Sequence, residues 1–258
     1  MPFDPIHLAE KVSRVCSRST CGSSERMVFD HRDFGSPAPG AYINLAGCCL
    51  RCIFCWVPHH ALEPHEGVYL TPSEAASLLL HRARRKRSFL LKITGGEPVL
   101  PGTCFQHLKA MLEHVEDALK GATVVLETNG MLLGYDFDMC LDLAAFSSLV
   151  VRVSFKGCDE EEFSRLTGAK PEFYRLQMEA IANLSDAGVS LRASLVSSFS
   201  TPSSIELFRV KLSEVYPEVA KELELEELYL TGELKKRLEE RGLKYRSYRA
   251  SKPSPEWI

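Results

Sequence analysis

Apolar and polar positions along this chain alternate between two rhythms. Short apolar runs at 41–47 (AYINLAG), 88–94 (SFLLKIT), 122–128 (ATVVLET), 148–155 (SLVVRVSF) and 189–196 (VSLRASLV) read as buried strands. Between them, apolar residues recur every three or four positions. The segment 103–120 sets Phe105, Leu108, Met111, Leu112, Val115 and Leu119 on one side and predicts a helix. Thr71 as N-cap, Pro72 in the first helical position and Glu74 closing a capping box predict the start of another. Further helices are expected over 136–145, as a pair across 160–187 stopped by Gly188, and over 203–223. A sixth strand is expected at 225–230 (LEELYL).

Strands that read as apolar on both faces and alternate with helices imply a mostly parallel sheet with helices packed outside it. Eight such units close a barrel, so about six predict an α/β fold of the open, partial (β/α)6 type. The core of this barrel spans 41–230. Residues 1–40 read as an irregular lead-in with one short helix near 6–16 and a turn-rich stretch at 33–40 (DFGSPAPG). Residues 231–258 read as a charged helix and basic tail. In parallel sheets, chemistry gathers where the strands end. The notable motifs fall there: a cysteine loop after the first strand, GGEP after the second, ETNG after the third and SFK after the fourth.

Composition narrows this little. Of 258 residues, 45% are hydrophobic and 25% charged, with a formal net charge of −3, so the whole molecule is no polyanion binder. No apolar run reaches the roughly 18 residues of a membrane span, and the first residues lack the apolar core of a signal peptide. The expectation is a cytoplasmic protein whose thiols stay reduced. The basic run HRARRKR (81–87) closes a helix, where cations complement the negative dipole end. Contact with RNA or an acidic partner is the rival reading there; for the basic tail, read as solvated, the rivals are capping the open barrel or contacting a macromolecule.

GCCLRCIFCW (47–56) holds four cysteines, and Cys48, Cys52 and Cys55 have C-x3-C-x2-C spacing. A disulfide fits neither so tight a loop nor the compartment. A structural zinc site wants four ligands, and Cys49, His59 or His60 are the candidates for the fourth. Three thiolates on an iron–sulfur cluster leave one iron open, an asset if a small molecule must bind there. Cys49 leaves an ambiguity, because Cys49, Cys52 and Cys55 are also evenly spaced. Cys16 and Cys21 form a C-x4-C pair, read as structural thiols or a disulfide with a metal role as the rival; Cys104, Cys140 and Cys158 read as packed small residues. In TGGEPVL (94–100), two glycines after a buried strand let a ligand approach the backbone, and Glu97 offers a carboxylate suited to an ammonium group.

CCLRCIFC followed about 40 residues later by GGEP resembles the radical S-adenosylmethionine (SAM) superfamily, across roughly 42–230. The resemblance implies a [4Fe–4S] cluster on Cys48, Cys52 and Cys55, with SAM chelating the fourth iron. It further implies reductive cleavage of SAM to a 5′-deoxyadenosyl radical that abstracts a substrate hydrogen. Gly95, Gly96 and Glu97 would meet the methionyl amino end, and Phe54 would lie near adenine. The middle of the chain is similar to the activating enzymes of glycyl-radical proteins. That likeness puts Glu127 and Thr128 beside the cofactor, Lys156 on its carboxylate and Arg192 on the fifth strand. Ser154 stands where those enzymes carry an acid, and no histidine follows His114. No cysteine lies in 56–94 or after Cys158, which predicts a single cluster. The implied partners are SAM, an external one-electron reductant of flavodoxin or ferredoxin type, and a substrate that is a protein, an RNA or a small molecule. Rival readings are an enzyme like 7-carboxy-7-deazaguanine synthase, another RNA- or nucleoside-modifying radical SAM enzyme and, from another class, a zinc-binding interaction protein without catalysis.

Overall fold

The computed structural model describes residues 1–20, 22–29 and 40–250. Its strands are β1 (Ser17–Thr20), β2 (Ser23–Val28), β3 (Ala41–Leu45), β4 (Val68–Leu70), β5 (Leu90–Gly95), β6 (Thr123–Thr128), β7 (Leu149–Phe155), β8 (Ser190–Val196), β9 (Glu224–Glu226), β10 (Leu228–Leu230) and β11 (Tyr248–Ala250). Its helices are α1 (Pro5–Cys16), α2 (Pro58–Leu62), α3 (Pro72–Lys86), α4 (Thr103–Ala118), α5 (Met131–Tyr135), α6 (Phe137–Leu143), α7 (Glu160–Thr167), α8 (Arg175–Asp186), α9 (Pro202–Val215), α10 (Pro217–Lys221) and α11 (Gly232–Glu240). Strands β3, β5, β6, β7, β8 and β9 pair in that order, all parallel, and form the open (β/α)6 sheet.

Three expectations need correcting. The lead-in is not merely irregular: β1 and β2 form an antiparallel hairpin that joins the main sheet at Val28 and Leu45, and β4 also pairs with β2. The stretch 33–39 lies outside the described residues, as does Cys21. The sixth strand is broken. β9 completes the parallel sheet, whereas β10 turns away to pair with β11. Finally, the strands are not apolar on both faces. Ile43, Ile93, Leu126, Val151, Val153 and Ala193 are fully buried beneath the helices. The alternate positions carry Asn44, Lys92, Thr94, Glu127, Arg152, Ser154, Arg192, Glu224 and Glu226. Successive residues of a strand point to opposite faces, and here the helices cover only one.

Local signals explain several elements. The capping box of α3 is complete, Thr71 accepting from the Glu74 amide and Glu74 from the Thr71 amide. The basic end of α3 is partly structural rather than wholly solvated. Arg82 is buried and donates to Tyr42 O at 2.8 Å, and Lys86 donates to Gly40 O at 2.9 Å. Residues 231–250 are no loose tail, since Leu234 and Leu238 of α11 are buried with Leu166, Val196, Phe199 and Leu228. Among the described residues no helix is long and apolar enough to cross a membrane.

In β2, Arg26 is fully buried and donates through Nη2 to Ala46 O (2.7 Å) and Glu97 O (3.1 Å). His107, equally buried, bonds Leu70 O through Nε2 at 3.0 Å. Burial, with Arg26 adding to it, pushes the imidazole down to about 4. The unfolded chain therefore takes up this proton near pH 6.5 and the folded one only near 4. Stability is complete above pH 6.5 and falls as pH drops towards 4, by up to about 3 kcal/mol. Urea midpoints at pH 7.5 and 5.0 should separate more for the wild type than for His107→Gln.

Candidate active site

The cysteine loop leaves the end of β3 and is held from several sides. Gly47 N donates to His60 O at 2.8 Å, Arg51 N to Thr167 O at 3.1 Å and Ile53 N to Leu166 O at 3.0 Å. Arg51 Nη1 donates to Cys48 O and Arg237 Nη2 to Cys55 O, both at 2.7 Å. Gly47 has φ of +84°, and a Cβ there would lie 2.4 Å from the sulfur of Cys16. Cys16 is thus a buried free thiol packed under the root of the loop, pushed up to about 11 chiefly by burial.

Cys48, Cys52 and Cys55 are half-buried, while Cys49 is sealed in the core and receives Asn129 Nδ2 at 3.3 Å. A hydrogen bond from the Cys49 thiol holds Cys48 well below the ordinary thiol range and raises Cys49; Lys156 and Arg51 favour the Cys48 thiolate further. Burial raises Cys52 and Cys55, and Lys156 works against it at both. The charge of Lys156 thus favours the thiolate at each of the three cysteines that have C-x3-C-x2-C spacing. Among the described residues no three His, Cys, Asp or Glu side chains converge tightly enough to hold a single metal ion.

The GGEP turn is bonded to the root of that loop. Gly96 N donates to Leu45 O at 2.7 Å and Glu97 N to Gly47 O at 2.6 Å. Glu97 differs from expectation. Its carboxylate is buried and turned into the ETNG turn, accepting from Thr128 Oγ1 (2.6 Å), Asn129 N (2.7 Å) and Val99 N (2.9 Å). Burial still pushes the carboxyl up to about 8, with the Cys48 charge adding to it. Thr128 and Glu97 thus brace two strand ends against each other, and the backbone of Gly95 and Gly96 stays near the cysteine loop.

Glu127 points to the other face of β6. It accepts from Thr94 Oγ1 at 2.8 Å and lies 3.7 Å from Lys92 and 3.9 Å from Arg152. Arg152 bonds Glu224 and Glu226 at 2.6 and 2.7 Å. Burial alone would lower its pKa; Glu226 and Glu224 outweigh that and raise it. Arg192 is exposed in the first half of β8, 3.9 Å from Glu224, and is not gathered with the cysteines. Ser154 and Lys156 come together, Nζ donating to Oγ at 2.7 Å. Phe54 packs on Phe199 with centroids 5.5 Å apart, while Trp56 is exposed.

Four residues of the site were missed by the sequence reading. Asn129 reaches both Cys48 and Cys49; buried Gln177 donates to Asn129 O and Ser154 O and accepts from Lys156 N. Arg152 anchors the polar face, and Arg237 caps the loop from α11. Arg152 and Gln177 left a trace in the sequence, as polar residues in otherwise apolar positions.

The family described as the Radical SAM superfamily matches residues 43–199, more than half of the chain. A probable GTP 3′,8-cyclase of Pyrobaculum aerophilum is 29% identical over 156 residues, covering 60% of this chain and 46% of that one. The GTP 3′,8-cyclase of Paracoccus denitrificans is 28% identical over 212 residues, covering 75% and 57%. The chain thus spans about half the length of these curated relatives. Among solved structures, Streptococcus suis SuiB bound to S-adenosylmethionine superposes with a TM-score of 0.54 at 18% identity, over 72% of this chain and 40% of that one. Native anSMEcpe with bound AdoMet gives 0.51 at 21% identity, over 70% and 48%. These two show likeness of fold.

Proposed function

The chain belongs to the radical S-adenosylmethionine superfamily, and on that premise we propose that it abstracts hydrogen from a nucleotide or nucleoside, using one cluster held by Cys48, Cys52 and Cys55. The observation that carries this reading is the bonding of the GGEP backbone to the root of the loop that holds three half-buried thiols. The superfamily's cofactors are a [4Fe–4S] cluster and SAM, which together supply a 5′-deoxyadenosyl radical. The chain's own residues do the rest. Cys48, Cys52 and Cys55 ligate, and Cys49 stays in the core as a donor to Cys48. Lys156, steadied by Ser154, takes the carboxylate of SAM. The backbone at Gly95 and Gly96, open to close approach for want of side chains, takes its ammonium, since the carboxylate of Glu97 is already satisfied. The polar face from Lys92 to Glu226 faces the substrate.

The substrate class follows the relatives named for GTP rather than a protein glycine, and about half of their length is matched, so their whole reaction is not carried over. An external one-electron reductant of flavodoxin or ferredoxin type, in the cytoplasm, delivers the electron. The zinc-binding alternative does not survive the family assignment. Anaerobic protein given dithionite and SAM should form 5′-deoxyadenosine, faster with a purine nucleotide present. Lys156→Met should weaken SAM binding by about tenfold with iron content unchanged. Iron-loaded protein that makes no deoxyadenosine with any nucleotide would contradict the proposal.

A further inference from the structure

We propose that a pocket beside the cysteine loop, walled by Arg165, Arg241, Lys244 and Arg246 and lined by Phe199 and Tyr245, binds the phosphate groups of the substrate. The inference deepens the nucleotide reading and rests on it for its purpose. The pocket itself is a feature of this fold. Its volume, about 610 Å³, is that of a small-molecule site. Three elements build it: α7 with Arg165, the turn after β8 with Phe199, and the segment 241–246 that follows α11. That segment is held in place, Leu243 N donating to Leu238 O at 2.9 Å and Arg246 N to Ser198 O at 2.7 Å.

The charges in the pocket are unbalanced. Arg165 has one carboxylate, Glu162, at 3.5 Å, and Glu162 is turned inward to Cys158 N and Ser200 Oγ. Among the described residues no carboxylate pairs with Arg241, Lys244 or Arg246. Several arginines elsewhere do have carboxylates: Arg152 has Glu224 and Glu226, Arg175 has Glu179, and Arg249 has Glu227. Arg241 alone is explained by its place at the C-terminal end of α11, where a cation complements the helix dipole. Lys244 and Arg246 lie past that turn and gain nothing from it. Several cations around one concavity are the arrangement that holds a phosphate, which accepts paired N–H bonds from guanidinium groups. Tyr245 and Phe199 add ring faces. Phe199 packs on Phe54, the residue before Cys55, so a ligand with its phosphates here keeps its sugar and base within reach of the cluster loop.

The test is calorimetric titration of inorganic pyrophosphate into the anaerobically reconstituted full chain. One site per chain is expected, weakening with added salt. Arg241→Glu/Arg246→Glu should lose affinity by about tenfold or more, and Lys244→Glu alone by about threefold, which keeps the test alive should the double variant fold poorly. Arg84→Glu/Arg85→Glu, the same charge change on α3, should stay within about twofold of wild type. No binding by the wild type, or equal losses in the two double variants, overturns the proposal. Deoxyadenosine formation by the wild type is measured in parallel. Intact SAM cleavage without pyrophosphate binding removes the phosphate site alone, and binding without cleavage removes the radical SAM reading alone.

Discussion

Gly96→Ala is expected to destabilise the fold by about 2–3 kcal/mol or more and to abolish cluster assembly, although the change adds a single methyl group. A Cβ at Gly96 would lie 2.2 Å from Gly47 O, 2.9 Å from Gly47 C and 3.0 Å from Gly47 N. All three atoms are backbone, so no side chain can move aside. Relief would require the cysteine loop to lift from the GGEP turn, breaking the bonds from Gly96 N to Leu45 O and from Glu97 N to Gly47 O. Those bonds set where the loop begins. Gly232→Ala is the matched control, because a Cβ there meets nothing within 4 Å. Thermal melts and iron content after anaerobic reconstitution should drop for Gly96→Ala and stay level for Gly232→Ala. Equal behaviour of the two variants would show that the two loops do not depend on their close contact.

The adjacent cysteines should behave oppositely. Cys48→Ala is expected to lose most of the iron and all SAM cleavage, since two thiolates do not retain the cluster. Cys49→Ala should keep both and lose stability modestly, by roughly 1 kcal/mol, as a small buried group is removed from a packed site. The distinction rests on placement. Cys49 is fully buried and faces Asn129, while Cys48 shares its half-buried side, and the influence of Lys156, with Cys52 and Cys55. Retained iron in Cys48→Ala with loss in Cys49→Ala would move the first ligand by one residue and require the loop to rotate.

The parallel sheet was legible because its signal is dense. Five apolar runs separated by helical spacing leave few alternatives, and β3, β5, β6, β7 and β8 appear where those runs lie. The cysteine loop and GGEP were legible because C-x3-C-x2-C and paired glycines are rare by chance. What stayed hidden depends on long-range neighbours. The hairpin of β1 and β2 is written in SRST and SSERMV, segments too polar to announce a strand, and one of their residues is the fully buried Arg26. The polar face of the sheet was averaged away, because Arg152 and Arg192 look like interruptions when a strand is read as a continuous run. In α11, Leu234 and Leu238 are spaced as a buried stripe, but the surrounding charges made the segment read as solvated. Asn129 carried no local mark of its role and Gln177 only that of a polar residue in an apolar stripe, because both roles depend on partners distant in sequence. Glu97 carries a similar lesson. Its motif was recognised, yet the destination of its carboxylate was decided by Thr128 and the amides of Asn129 and Val99.

The most direct measurement is metal and sulfide analysis of anaerobically reconstituted protein, combined with electron paramagnetic resonance of the reduced sample before and after SAM is added. The account predicts about four irons with matching sulfide per chain, and a reduced-cluster signal that changes on SAM addition because one iron lacks a protein ligand. One zinc without sulfide, or a cluster signal indifferent to SAM, would contradict it.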